Sequence, residues 1–146
     1  MTTALTGKDA SAKLAQRFAS SIIQADKDYV LVKPEAMPEI VSFLKTAPGL
    51  EFDFLNSVTA VDYFDYFEVV YHLTSMKHNQ SLVLKTRLQG RDNLSAPSII
   101  KIHQGADFQE REIYDLFGIE FEGHPNMKRI LLWDGFEGYP LRKDYL

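Results

Sequence analysis

The spacing of apolar residues changes several times along this chain, and each change predicts an element. From Lys8 to Ile23, Leu14, Phe18 and Ile22 recur every fourth residue with Ala15 and Ala19 beside them, so one stripe of an amphipathic helix faces a core. "YVLVKP" is a short β-branched run closed by Pro34 and predicts a strand. "EAMPEIVSFLKTAPG" then carries Ile40, Phe43 and Leu44 at helical spacing until Pro48 and Gly49 stop it. From Leu50 the period falls to two: Phe52 and Phe54, then Phe67, Val69, Tyr71 and Leu73, then Leu82, Leu84, Thr86 and Leu88. Three successive strands predict a meander, with "SMKHNQ" as a hairpin connection, "QGRDNLSAP" as a loop and "SIIKI" as a further apolar run. The expected class is α+β: a largely antiparallel or mixed sheet with helices on one face, followed by a short helix and an extended C-terminal segment.

Asp107 lies three residues before Glu110, a capping-box pattern with Asp as the cap, and Gly118 offers a left-handed stop after Phe117. A short helix from Asp107 to Phe117 follows, with Ile113, Leu116 and Phe117 pointing one way. Arg111 and Asp115 sit a turn apart on another side, where a solvated pair adds about 0.2 to 0.5 kcal/mol. Glu110 is expected to favour the helix dipole, leaving Glu112 free for a partner. Beyond it, Gly123, Pro125, Gly135, Gly138 and Pro140 punctuate the chain too often for a long helix or a central strand. Yet Ile130, Leu131, Leu132, Trp133, Phe136, Tyr139 and Tyr145 are a large apolar load, unlike a disordered tail. Something must cover them. One reading is a protein interface, because Trp133, Phe136, Tyr139, Arg142 and Tyr145 are of the types that dominate hot spots. The other is a tail folded back over its own domain. Arg129, Arg142 and Lys143 form a basic end suited to carboxylates on a partner.

At 146 residues, 45% of them hydrophobic and 25% charged, one domain with a real core is expected. It comprises an α+β part over residues 1–122 and an extended docking segment over 123–146. A net charge of -4 and a pI near 5.5 give no electrostatic reason to bind nucleic acid. With no cysteine, the chain supplies no disulfide, thiolate zinc site or iron–sulfur ligand set. Its apolar runs fall well short of the roughly 18 to 20 residues a spanning helix needs, so a soluble chain is expected. The Ala- and Ser-rich N-terminus is taken as the first helix rather than an organelle leader, since Asp9 is unusual in one.

Three chemistries compete for these residues. His72, His78, His103 and His124 with Glu110 and Glu112 could ligate a metal, but no pair has the i,i+4 spacing of a helical site. Glu110 and Glu112, two apart on a helix, point about 200° from one another and cannot converge as an acid/base pair. No GxSxG elbow, GxGxxG or P-loop occurs. No self-contained active site is expected.

"EREIYDLFGIEFEGHPNMKRILLWDGFEGYPLRKDY" closely resembles the signature of the 30-kDa subunit family of respiratory complex I, the C-type subunits of NADH-quinone oxidoreductase. The resemblance extends upstream through "FLNSVTAVDY" and "FEVVYHL", about two-thirds of the chain. The family pattern falls on Glu110, Arg111, Glu112, Asp115 and Gly118, continues with Gly123, His124, Pro125 and Arg129, and closes with Gly138, Pro140, Leu141, Arg142, Lys143, Asp144 and Tyr145. All are assigned to fold and assembly. Where the family usually has Asn-Trp before the ERE element, this chain has Asp107-Phe108-Gln109, which keeps the cap and leaves the indole's packing without a counterpart. The sequence ends at Leu146, short of the tail of some members, which implies fewer contacts there.

The resemblance implies a non-catalytic peripheral-arm subunit of a proton-translocating NADH:quinone oxidoreductase. Its C-terminal segment would lie against the large subunit of 49-kDa type (the D-type subunit) bordering the quinone cavity, with other peripheral-arm subunits nearby. Iron–sulfur clusters, FMN and quinone would belong to those partners. The chain would reach the cytoplasmic face of the cell membrane only through the complex. Equivalent subunits of membrane-bound hydrogenases or of the photosynthetic version carry a similar signature, and a small metal-dependent enzyme is the reading of another class.

Overall fold

A computed structural model describes residues 2–145. Twelve residues, Gly7–Phe18, form α1, capped by Thr6, whose Oγ1 accepts the Asp9 amide at 3.2 Å. Gly7 starts this helix because a Cβ there would meet the carbonyl oxygens of Asp26 and Tyr29 at 2.0 and 2.1 Å. The helix ends five residues earlier than the period suggests. A 3-10 turn at Ala19–Ser21 leads into a strand, β2 (Ile22–Ala25), which pairs with β3 (Val30–Val32). Ile22 and Ile23 are β-branched, and Ile22 finds a ladder partner in Val32, which outweighs its place in the helical stripe. A 3-10 turn at Pro34–Ala36 precedes α2 (Met37–Thr46), which stops because Ala47, before Pro48, is extended.

The meander is β4 (Phe54–Asp62), β5 (Tyr66–Ser75) and β6 (Gln80–Gln89), all antiparallel. The strand order is β2-β3-β6-β5-β4, with β1 (Thr3–Ala4) beside β6 as well. Both β1 and β3 run parallel to β6, so the sheet is mixed. Register aligns the period-two residues across strands: Asp62, Phe67 and Leu88 in one row, Ala60, Val69 and Thr86 in the next, then Val58, Tyr71 and Leu84. The apolar members of these rows join Leu14 of α1 and Ile40 and Leu44 of α2 in one core. Phe52 is fully buried in the segment before β4, whereas Phe54 is exposed on β4, where a bulge between Leu55 and Ser57 sets it out of phase with buried Val58.

Two short strands carry no signal of their own in the sequence. Ser95–Pro97 (β7), inside the expected loop, pairs in parallel with Glu120–Glu122 (β8), and the apolar run "SIIKI" leads into a turn. Between β7 and β8 runs α3 (Ala106–Phe117), whose buried Ala106, Glu110 and Ile113 lie along one side. After β8, residues 123–145 contain turns but no helix or strand.

Candidate docking face

The helix α3 is the platform. Its N-cap is Gly105, not Asp107, and no side chain caps it. Asp107 lies inside the first turn and instead approaches His124, with Oδ1 at 3.0 Å from Nε2. Asn126 N–H donates to Nδ1 of that imidazole at 3.0 Å, so the ring hydrogen sits on Nε2, facing Asp107. At the other end Gly118 adopts φ 79°, the left-handed stop expected of it. A Cβ at this position would meet the Tyr139 ring at 2.7 Å and Arg142 Nη2 at 2.8 Å, so the C-terminal segment packs directly on the helix stop.

Glu110 does not serve the helix dipole. It is fully buried; Ser98 Oγ donates to one carboxylate oxygen at 2.5 Å and the Ile99 amide to the other at 3.0 Å, tying α3 to the turn after β7. Burial pushes its carboxyl above the ordinary range, against those two bonds. Glu112 is exposed.

Nor are Arg111 and Asp115 a solvated pair. Arg111 donates to the carbonyls of Lys128 and Arg129 at 3.1 and 2.9 Å. Asp115 is fully buried, and its Oδ2 accepts three consecutive amides of the tail, Ile130, Leu131 and Leu132, at 3.2, 2.7 and 2.9 Å. Its Oδ1 takes Arg129 Nη1 at 2.7 Å. Burial opposes ionisation here, but the guanidinium and the three amides outweigh it and hold the carboxyl below the usual aspartate range. Arg129 also donates to the carbonyls of Asp115, Phe136 and Gly138. A tail that cannot form regular structure thus has its backbone polar groups answered by two α3 side chains and one arginine of its own.

A second fastening lies at the end of the segment. Arg142 donates to the carbonyls of Phe117 and Arg91 at 2.6 and 2.9 Å and lies over the Phe67 and Tyr139 rings. Leu141 N–H reaches the Leu116 carbonyl at 3.0 Å. Arg91 grips buried Asp62 with both terminal nitrogens at 2.6 and 3.0 Å and pairs with Asp144, while Lys143 N–H donates to Asp62 Oδ2. Burial would raise the Asp62 carboxyl, but Arg91 and the Lys143 and Phe64 amides lower it to about 2. The basic end therefore meets acceptors within the chain at Arg129 and Arg142; the Lys143 side chain is exposed. Sequence reasoning missed Asp62 and Arg91. An aspartate on an inward-facing row of a strand was the available signal.

With the backbone fastened, the side chains turn outward. Trp133 is 70% exposed, Leu131 62%, Leu141 54% and Tyr145 41%. Trp133 meets Phe136 edge-on at 5.0 Å, and Phe136 stacks on Tyr145 at 6.5 Å, forming an aromatic row on the outside of the domain. Tyr139 turns inward over α3, 6.3 Å from the Tyr114 ring. Gly123 and Pro125 are exposed turn residues, Gly138 has φ 86° with Tyr145 close by, and Pro140 is half-buried. The polar backbone of the tail belongs to its own domain, as the folded-back reading expects, while Trp133, Leu131, Leu141 and Tyr145 face out.

The histidines do not gather. His72 lies exposed on β5, His78 bonds Glu51 in a turn, His103 is buried beside the α2 end and His124 is under α3. Among the described residues no three His, Cys, Asp or Glu side chains could hold a metal ion together, and no helix is long and apolar enough to cross a membrane.

The family described as "Respiratory-chain NADH dehydrogenase, 30 Kd subunit" matches residues 30–146. A C-type subunit of the NADH-quinone oxidoreductase of Rhizobium meliloti (strain 1021) is 44% identical over 117 residues, 78% of this chain and 63% of that protein. The C-type subunit of Rhodobacter capsulatus is 39% identical over 145 residues, 94% of this chain and 72% of the relative. The mitochondrial NADH dehydrogenase (ubiquinone) iron-sulfur protein 3 of Candida albicans is 41% identical over 136 residues, covering 91% of this chain but 47% of its own. The chain thus spans somewhat under two thirds of the length of the Rhizobium relatives, 63% and 64%. A solved structure of the membrane-bound sulfane sulfur reductase, an archaeal respiratory membrane complex, holds a chain that superposes with a TM-score of 0.77 at 25% identity, covering 95% of this chain and 85% of that one. A family match that runs from Val30 through α3 and the tail makes the family plain: this chain belongs to the respiratory-chain NADH dehydrogenase 30 kDa subunit family.

Proposed function

We propose that this chain is a non-catalytic peripheral-arm subunit of a proton-translocating NADH:quinone oxidoreductase, and that the face built on α3 and the tail docks on the large, 49-kDa-type subunit at the quinone site. The observation that carries the reading is the division of labour within residues 128–145. Two buried carboxylates, Asp115 and Asp62, with Arg111, Arg129 and Arg142 fix the backbone, while Trp133 and Tyr145 stay exposed in a row with Phe136, and Leu131 and Leu141 are exposed as well. Apolar side chains held rigidly in water lose little further entropy when a partner covers them, which suits an assembly surface. In this reading iron–sulfur clusters, FMN and quinone sit in other subunits, and the chain reaches the cytoplasmic face of the membrane through them. The names of the relatives support it. The likeness to a chain of a sulfur-reducing respiratory complex supports a docking rather than a chemical role, since one fold then serves complexes with different substrates.

The test is co-purification from native membranes of the tagged chain carrying Trp133→Ala. The expected result is a loss of the large subunit from the eluate with the melting temperature of the purified chain unchanged. Undiminished recovery of the large subunit would remove the reading.

A further inference from the structure

Phe64 combines two features that its own domain does not repay. It sits at the tip between β4 and β5 with φ 76°, a left-handed conformation that a bulky side chain adopts only at a cost that glycine or asparagine escapes. Its ring is also 57% exposed, with Tyr63 beside it 45% exposed. Among the described residues its ring contact is the Arg91 guanidinium, 5.0 Å from the centroid. The local bonds explain how the turn is held, not why phenylalanine occupies it: Asp62 Oδ1 accepts the Phe64 amide at 2.7 Å and Tyr63 O accepts that of Asp65 at 2.9 Å.

Arg91 links this tip to the tail. Its Nη1 donates to Asp62 Oδ1 and to the Phe64 carbonyl at 3.2 Å, and its Nη2 pairs with Asp144 at 2.9 Å. Lys143 N–H adds a bond to Asp62 at 2.9 Å. Tyr145 follows Asp144 directly, so two exposed aromatics flank one ion-paired centre, and Tyr145 continues through Phe136 to Trp133. Hairpin tip and tail are one rigid, aromatic face.

We propose that Phe64 is a contact residue of this face, received by the same neighbouring subunit as the tail. This rests on the docking reading above. Its occupant is a protein with an apolar depression, since the exposed groups here are rings and the Arg91, Asp62 and Asp144 charges that join tip to tail are paired with one another.

Phe64→Gly and Phe64→Asn, both at ease with a positive φ, are made in the full tagged chain beside Trp133→Ala. Each purified chain is melted and sized, and its share of the native membrane complex is measured on native gels. Phe64→Gly and Phe64→Asn should melt within about 2 °C of the unaltered chain or above it. Their share in the complex should fall by about threefold or more, as for a truncated interface aromatic. A drop in melting temperature beyond about 5 °C would mean that the ring packs in its own fold and would overturn the proposal. Unchanged assembly of both Phe64 variants, with assembly lost in Trp133→Ala, would overturn it and leave the docking reading standing. Unchanged assembly in all three would sink both. A purified dimer that Phe64→Gly splits would make a second copy the occupant and overturn it equally.

Discussion

Asp115→Ala is the sharpest perturbation of the clamp. It removes the acceptor of three tail amides and the partner of Arg129, whose side chain is 13% exposed, while Asp115 itself is fully buried. Breaking a buried pair by removing one partner costs about 3 to 5 kcal/mol. Arg129 keeps the carbonyls of Asp115, Phe136 and Gly138, which places the loss at about 3 kcal/mol. In a domain of this size each kcal/mol lowers the melting temperature by about 2 to 4 °C, so a fall of roughly 10 °C is expected. Trp133 is the sole tryptophan, so its fluorescence reports the tail alone, and its emission and quenching should change before the far-ultraviolet circular dichroism of the sheet does. Melting within about 2 °C of the parent, with Trp133 unaltered, would refute the clamp.

Three further outcomes follow from the same geometry. Asp62 is lowered from 3.8 to about 2 on folding, so the native state holds its proton less tightly, and stability worth about 2 kcal/mol, present above pH 4, should be lost as pH falls toward 2. Denaturant melts at stepped acid pH, with Asp62→Asn as the flattened control, measure it. Glu110 titrates the other way: its folded value is raised, so its favourable share is complete below the ordinary glutamate range and fades as pH rises through the folded value. Glu110→Gln can still accept from the Ile99 amide and donate to Ser98 Oγ, so its stability relative to the parent should climb between mildly acidic and neutral pH; a constant difference would contradict this. Gly118→Val should cost at least about 2 kcal/mol, from the left-handed φ and the collision with Tyr139 and Arg142, measured by denaturant melts; normal stability would contradict the packing of the tail on the helix stop.

Much of the fold was legible because its signals are local and periodic. The alternation in β5 and β6 marks the inward face, Pro48 ends α2 and Gly118 ends α3 as a left-handed cap must. What was hidden depends on distant partners. Nothing in "SAP" or "EFE" announces a strand until they meet each other, and Ile22 leaves its helix only because Val32 offers a ladder. The face built on α3 and the tail was half visible. The apolar load of the tail stood out, but Asp115 and Arg129 lie 14 residues apart and Asp62 and Lys143 lie 81 apart, so the clamps could not be read from spacing. Helical neighbours suggested an Arg111–Asp115 surface pair; the tail amides compete for that carboxylate and win because burial strengthens each bond.

The central claim is that this segment is fixed by its own domain and covered by another. Leu131→Cys places a single thiol on a chain that has none, at a position 62% exposed. Its alkylation by a maleimide, followed as the mass of this chain, is timed in the purified chain and in the intact membrane complex. The account predicts rapid reaction in the free chain and at least about tenfold protection in the complex. Equal rates in the two would contradict it.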